Sequence, residues 1–238
     1  MLFTTRQLLH KNYACTKRFR HFFRRYHRVD ENELIPLIDV LERNGLDDAL
    51  WCLRATTVPC ESFARLFAAD CAEHVLPLFE TNFPDNPAPR RAIEVARQLA
   101  RGEATGQECR DARIAALAAC DAAADEAVVV PGAAASDAYL AASAAAYTAA
   151  VAAAYTADAA ADEAAEQAVA AACFAARAPA EEAAAAAAAR AATEPDAYLA
   201  AVAAARAKWD AATEAELLWQ TAKFREALLA HNSEREEN

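Results

Sequence analysis

The sequence predicts an all-α fold, a multi-helix bundle with a tightly packed, alanine-rich C-terminal half, and three observations lead there. Hydrophobic residues make up 56% of the chain while glycine occurs only four times, a balance that favours helices over turns. Alanine supplies 71 residues, 60 of them after position 100, and it joins the strongest helix propensity to a weak β preference. The larger apolar residues recur every three or four positions, the spacing that gathers them on one face of a helix. A disordered low-complexity linker would not need that periodicity. Alanine also lets helix axes approach closely, so sparse Tyr, Trp and Leu side chains can fill the remaining gaps.

With 238 residues the chain can bury a sizeable core. Composition divides it into an N-terminal helical region, residues 1–106, and an Ala-rich helical region, residues 107–238, expected to pack together as one domain. Seven cysteines at 15, 52, 60, 71, 109, 120 and 173, an odd number without paired spacing, suit a reducing cytoplasm better than a disulfide framework. No secretory signal is apparent in MLFTTRQLLH. The Ala133–Ala157 run is interrupted by Ser136, Asp137, Ser143 and Thr148 and is too weakly apolar to be expected to span a membrane. Charge is uneven: residues 1–29 carry +8, residues 30–103 carry −7 and residues 104–238 carry −12, giving the net −11. An acidic body repels nucleic acid and membrane surfaces and attracts basic partners, whereas the basic first segment could do the opposite.

Taken in order, Thr4 or Thr5 can cap a short helix through Leu8 and Leu9. Residues 15–26 set Phe19, Phe22, Phe23 and Tyr26 on one side of a basic amphipathic helix. Its basic patch, Arg18, Arg20, Arg24, Arg25 and Arg28, suits nucleic acid, although aromatics docked in the core with arginines balancing the acidic body is the preferred reading. Asp30 and Glu33 read as a capping box ahead of an apolar stripe of Leu34, Leu37, Ile38 and Leu41, which Gly45 should stop. Leu46, Leu50 and Leu53 then point inward. Trp51 is either another core anchor or part of a partner surface.

Pro59 opens a long helix in which Phe63, Phe67, Cys71, Val75 and Leu78 or Phe79 form the apolar face and Asp70, Glu73 and Glu80 lie away from it. Pro77 should kink it near Glu73 to His74. A loop with Pro84, Pro87 and Pro89 turns the chain, and a second helix starting after Pro89 aligns Arg90, Glu94, Arg97 and Arg101 opposite Ile93, Ala96 and Leu99. The two should pack antiparallel, carboxylates against guanidiniums. Gly102 and Gly106 are read as closing the second helix. Ile114, Leu117 and Cys120 mark a further helix from about Gly106 to Val128, ended by Val130, Pro131 and Gly132. Tyr139, Ser143, Tyr147, Val151 and Tyr155 stand four apart on the next, and Pro179 and Pro195 start two more. On the last, Tyr198, Val202 and Trp209 share a face that Leu217, Phe224 and Leu228 continue.

The sequence contains no His-Glu-x-x-His, Gly-rich phosphate loop, serine nucleophile elbow or Cys-x-x-Cys. Cys71 and His74, with Cys60, supply too few ligands for a metal and read as ordinary core residues, so no cofactor is expected. Asp47 with Asp48, and Glu181 with Glu182, diverge around a helix and suit solvated faces or helix N-termini rather than acid and base work. Arg90, Glu94, Arg97 and Arg101 could hold an anion, but ion pairs among themselves and with Asp70, Glu73 or Glu80 are the simpler expectation.

Cys71, Ala72, Glu73, Leu76, Pro77, Leu78, Phe79 and Glu80, followed by Pro89, Arg90, Ala92, Ile93, Glu94, Ala100, Arg101, Gly102 and Glu103, form a paired signature. It resembles that of the all-helical immunity-protein family, the fifth numbered type, of bacterial polymorphic toxin systems. GLDDALWCLRA from Gly45 and ELLWQ from Glu216 are also similar to that group. The sequence departs from the pattern at Ala88, where an arginine is usual, and at Leu99, where an aromatic is common. The resemblance implies a cytoplasmic, non-catalytic inhibitor that blocks a toxin or effector protein. An acidic helical surface suits occlusion of a basic partner, with Trp51, Asp47, Asp48, Glu73, Glu80, Arg90, Glu94, Arg97 and Arg101 as candidate contacts. Two alternatives use other targets. One is a phage-encoded anti-defence inhibitor of the anti-CRISPR kind, acting as a DNA mimic. The other is a nucleic-acid-binding module built on the basic N-terminal helix. Small-residue helix faces are also suited to a homodimer interface.

Overall fold

The computed structural model describes residues 1–12, 22, 24, 26, 29–129, 146, 147, 149, 152 and 198–236. These residues are predominantly helical, with one two-stranded sheet. The chain enters through strand β1 (Phe3–Thr4), helix α1 (Arg6–Lys11), strand β2 (Ile35–Pro36) and helices α2 (Leu37–Asn44) and α3 (Leu46–Cys52). A 3₁₀ turn (Leu53–Ala55) leads to α4 (Glu61–Asn82), α5 (Ala88–Ala100), α6 (Gly106–Val129) and α7 (Tyr198–Glu236). Most of the 15–26 helix, the aromatic ladder around Tyr147 and the starts expected at Pro179 and Pro195 lie outside the described residues.

Thr5 is the cap of α1, its hydroxyl accepting from Leu8 N–H at 3.1 Å. Thr4 instead lies in β1, pairs with Ile35 and donates from Oγ1 to the Ala55 carbonyl at 2.7 Å. With Thr57 N–H on the Phe3 carbonyl and Leu37 N–H on the Leu2 carbonyl, β1 stitches two segments remote in sequence. Pairing this short leaves no alternating pattern to read in advance. The Asp30–Glu33 pair closes a turn rather than a helix, and α2 begins only after Pro36, leaving Leu34 55% exposed instead of on the apolar stripe. Proline explains the shift, since it disfavours helical conformation in the residue before it. Gly45 ends α2 at φ 92°, in the left-handed region that favours glycine.

α4 is the central element, packed against α5 on one side and α7 on another. It starts at Glu61, two residues later than Pro59 suggests, and runs unbroken through Pro77. Phe63, Phe67, Cys71, Val75 and Phe79 are buried as expected, and so are Ala64, Ala68, Ala69 and Ala72. A helix covered by neighbours on more than one side needs apolar residues around most of its circumference. α5 begins at Ala88 and puts Pro89 in its first turn, where the missing N–H costs nothing.

The signature's Ala-Arg-Gly-Glu close is a helix stop. Gly102 N–H bonds the Leu99 carbonyl, Glu103 N–H bonds the Gln98 carbonyl at 2.8 Å, and Gly102 takes φ 74° between them. Gly106 does not help close α5; it opens α6 behind a capping box in which Thr105 Oγ1 accepts from Glu108 N–H and Glu108 Oε2 accepts from Thr105 N–H. Thr105→Ala is therefore expected to cost about 1 kcal/mol, read as a lowered urea midpoint at unchanged slope.

α6 packs on α5 through small residues. Cys109, Ala112, Ala116, Ala119, Ala123 and Ala127 are buried, whereas Ile114 is 65% exposed and Leu117 and Cys120 only half-buried. The larger residues expected to mark the core face thus lie at its edge or outside it. Alanine wins the inner face because its short side chain lets two helix backbones close together.

Candidate functional site

The site is built where α4 meets α5 on one flank and α7 on the other. On the α5 flank, Arg90 makes a bidentate pair with Glu80, Nε to Oε1 at 2.6 Å and Nη2 to Oε2 at 2.7 Å. One turn pair away, Arg97 Nη2 donates to both Asp70 Oδ1 at 2.7 Å and Glu73 Oε2 at 2.6 Å. Glu80 with Arg90 and Asp70 with Arg97 run in opposite directions along the two helices, which fixes the pair as antiparallel. The Arg97 hydrogen bond holds the Glu73 carboxyl below its ordinary range, and both carboxylates hold the Arg97 guanidinium charged.

Arg101 and Glu94 do not reach α4. Arg101 pairs with Glu103 at 2.8 Å and Glu94 with Arg91 at 3.5 Å, all at half-exposed positions. Trp51 is half-buried on α3 with the Arg54 guanidinium 5.2 Å from its ring centroid. Asp47 faces solvent. Asp48 does not share that solvated face, because it is 8% exposed and accepts from Asn44 Nδ2 at 2.9 Å. Of the basic patch, Arg24 is exposed, and Arg18, Arg20, Arg25 and Arg28 lie outside the described residues, as do Glu181 and Glu182.

The α7 flank holds what the sequence concealed. Glu216, 4% exposed, stands with Oε2 3.1 Å from His74 Nε2, and Gln220 Nε2 donates to its Oε1 at 3.0 Å. The Trp219 ring stacks on His74 at 3.7 Å between centroids. Gln220 is fully buried, Leu217 and Leu218 are 42% and 65% exposed, and Phe224 and Leu228 carry the packing face onward. Only the polar Glu216 and Gln220, four apart and flanking Leu217 and Leu218, signal in the sequence that an inward polar face interrupts the apolar one. Thus Leu217 leaves the expected stripe.

Burial pushes the Glu216 carboxyl above its ordinary 4.5, partly offset by Gln220 and His74. A carboxyl raised by folding binds more protons in the folded than in the unfolded state, so its contribution to stability falls as pH rises from about 4.5 through its folded value. Glu73 acts oppositely: its contribution is complete above about 4.5 and is lost as pH falls through its lowered value. Glu216→Gln is expected to remove the decline above about pH 4.5 while keeping the acid-side loss. Urea midpoints across that range check this, and an undiminished decline in the variant would refute it.

His74, Cys71 and Cys60, the residues weighed as metal ligands, sit in other contacts. His74 belongs to the Glu216–Trp219 contact, Cys71 is fully buried, and Cys60 donates from Sγ to the Leu53 carbonyl at 3.0 Å. Burial pushes the Cys60 thiol up to about 11 and raises Cys71 and Cys109 as well, which suppresses the thiolate that metals and electrophiles require. Among the described residues no group of three or more His, Cys, Asp and Glu side chains is placed to hold a metal ion, and no helix is long and apolar enough to cross a membrane.

No curated protein and no solved structure matches the chain. The ion-paired residues Asp70, Glu73, Glu80, Arg90 and Arg97 all lie within one stretch that a family model does match. Residues 62–170 match the model described as Imm-5 like putative immunity protein, the kind of family that the Cys71–Glu80 and Pro89–Glu103 signature resembles.

Proposed function

We propose that this chain is a cytoplasmic, non-catalytic immunity protein that binds a toxin or effector stoichiometrically and occludes its working surface. The single observation that carries the reading is the family match over residues 62–170, which spans α5, α6 and nearly all of α4. Charge supports it: exposed Glu42, Asp47, Glu73, Glu94, Glu103, Asp111 and Asp121 present carboxylates around the body, and complementary charge speeds encounter with a basic protein. A DNA-mimicking anti-defence inhibitor would use the same carboxylates against a nucleic-acid channel, but the family match favours the toxin.

The test is co-expression with candidate toxins encoded by adjacent genes. Protection of the host together with a purified one-to-one complex is expected; absence of both ends the proposal. A gel-shift series across salt concentrations addresses the basic helix, because phosphate contacts by its arginines require affinity to fall steeply with salt.

A further inference from the structure

Beside the Glu216 cluster, the first turns of α4 and the C-terminal part of α7 enclose a groove of about 520 Å³. Phe63 and Phe67 underlie it, each edge-on to Phe224 at 5.5 and 5.0 Å between centroids, so the floor is rigid and apolar. Leu66, 37% exposed, forms one lip. The polar lining is lopsided. Three carboxylates, Glu61, Asp70 and Glu226, share it with one ammonium, Lys223, the Ser62 hydroxyl and the His231 imidazole.

That ammonium is held loosely. Lys223 Nζ lies 3.7 Å from Asp70 Oδ2 and 3.5 Å from Glu226 Oε2, longer than the roughly 2.7–2.9 Å of a good charge-assisted hydrogen bond. Arg97 holds only the other oxygen of Asp70, at 2.7 Å. Oδ2 and Glu226 are therefore bridged by a flexible side chain at partial strength. An incoming guanidinium, planar and with several donors in a fixed fork, would make shorter bonds to the same oxygens, while the lysine swings into solvent. The apolar floor and Leu66 lip suit an aliphatic or aromatic side chain next to that cation.

We propose that this groove receives a cationic and apolar surface element of the toxin, an arginine at the carboxylates beside a large apolar side chain over Phe63 and Leu66. Lys223 then acts as a placeholder that the arginine displaces. This rests on the immunity reading for the identity of the occupant, not for the chemistry of the groove.

Two experiments separate them. In the first, the ¹⁵N-labelled full chain is titrated with a helix-forming Leu/Arg peptide and with its Leu/Glu counterpart. The expected result is shifts confined to residues 59–70 and 223–231 with the Leu/Arg peptide alone. Leu66→Asp should weaken binding roughly tenfold, because a hydrated carboxylate replaces the apolar lip against which the leucines pack. Lys223→Gln should instead tighten it roughly threefold, because a resident competitor for the carboxylates is removed. Equal binding of both peptides, shifts spread over the whole acidic surface, or weaker binding by Lys223→Gln overturns the proposal. Light scattering that shows a dimer lost in Leu66→Asp assigns the groove to a second copy and also overturns it. In the second, the same variants, verified folded by melting, are co-expressed with the toxin that the full chain neutralises. Full protection by Leu66→Asp sinks the groove and leaves the immunity function standing. A groove that binds the Leu/Arg peptide as described in a chain that protects against no neighbouring toxin sinks the function and leaves the groove.

Discussion

Phe224→Ala is expected to lower unfolding free energy by about 3–5 kcal/mol, the range for deleting a fully buried aromatic. Phe224 is the point at which α7 is anchored to α4: its ring meets Phe63 and Phe67 edge-on, and Leu228 continues the same buried face. Those neighbours belong to a separate helix and cannot collapse into the void without moving its axis, so most of the cavity should persist. At about 2–4 °C per kcal/mol for a chain of this size, the melting temperature should drop by about 6–20 °C. A drop under about 3 °C would mean that α7 is not held by this contact. Because the same rings underlie the groove, Phe224→Ala should also lose peptide binding, so it serves as a stability probe and not as a binding probe.

The second large effect is at Arg97. Arg97→Ala leaves Asp70 and Glu73 without the guanidinium that bridges them, and Asp70 is only 26% exposed. A loss of about 2 kcal/mol is expected, below the 3–5 kcal/mol for breaking a fully buried pair because Glu73 is half in water. Asp70→Asn should cost less alone and add little to Arg97→Ala, since members of one network are not independent. Arg90→Ala, whose partner Glu80 is 33% exposed, should cost less than about 1 kcal/mol. This pattern identifies the arginine line as a clasp that sets the register of α4 and α5. Charge reversal at Arg97 that left melting unchanged yet abolished protection against the toxin would instead make it a contact with the partner.

The clasp was legible in advance because helical spacing alone aligns Arg90 with Arg97, and a short proline loop between two helices turns them antiparallel. Glu80 and Asp70 then stand opposite the arginines by geometry. Arg101 shows the limit of that reasoning, since it shares the line but lies past the end of α4's acidic face and pairs with Glu103. The buried Glu216 could not be found in this way. Its partner His74 lies on another helix far away in sequence, and a glutamate near two leucines reads as solvated until α7 is docked.

The sequence by itself determined the helical class, the stops at Gly45 and Gly102, the apolar face of α4 and the pairing of Arg90 and Arg97 with α4's carboxylates. All of these follow from propensity, capping and periodicity, which act within a few turns of chain. Only the tertiary structure decided which alanines of α6 are core, that Ile114 and Leu217 face outward, that Glu216 is buried, and that α4 and α7 leave a groove between them. The physical reason is that alanine, abundant on every face of these helices, carries too little apolar contrast to mark an inside, so burial is set by which neighbouring helix comes close.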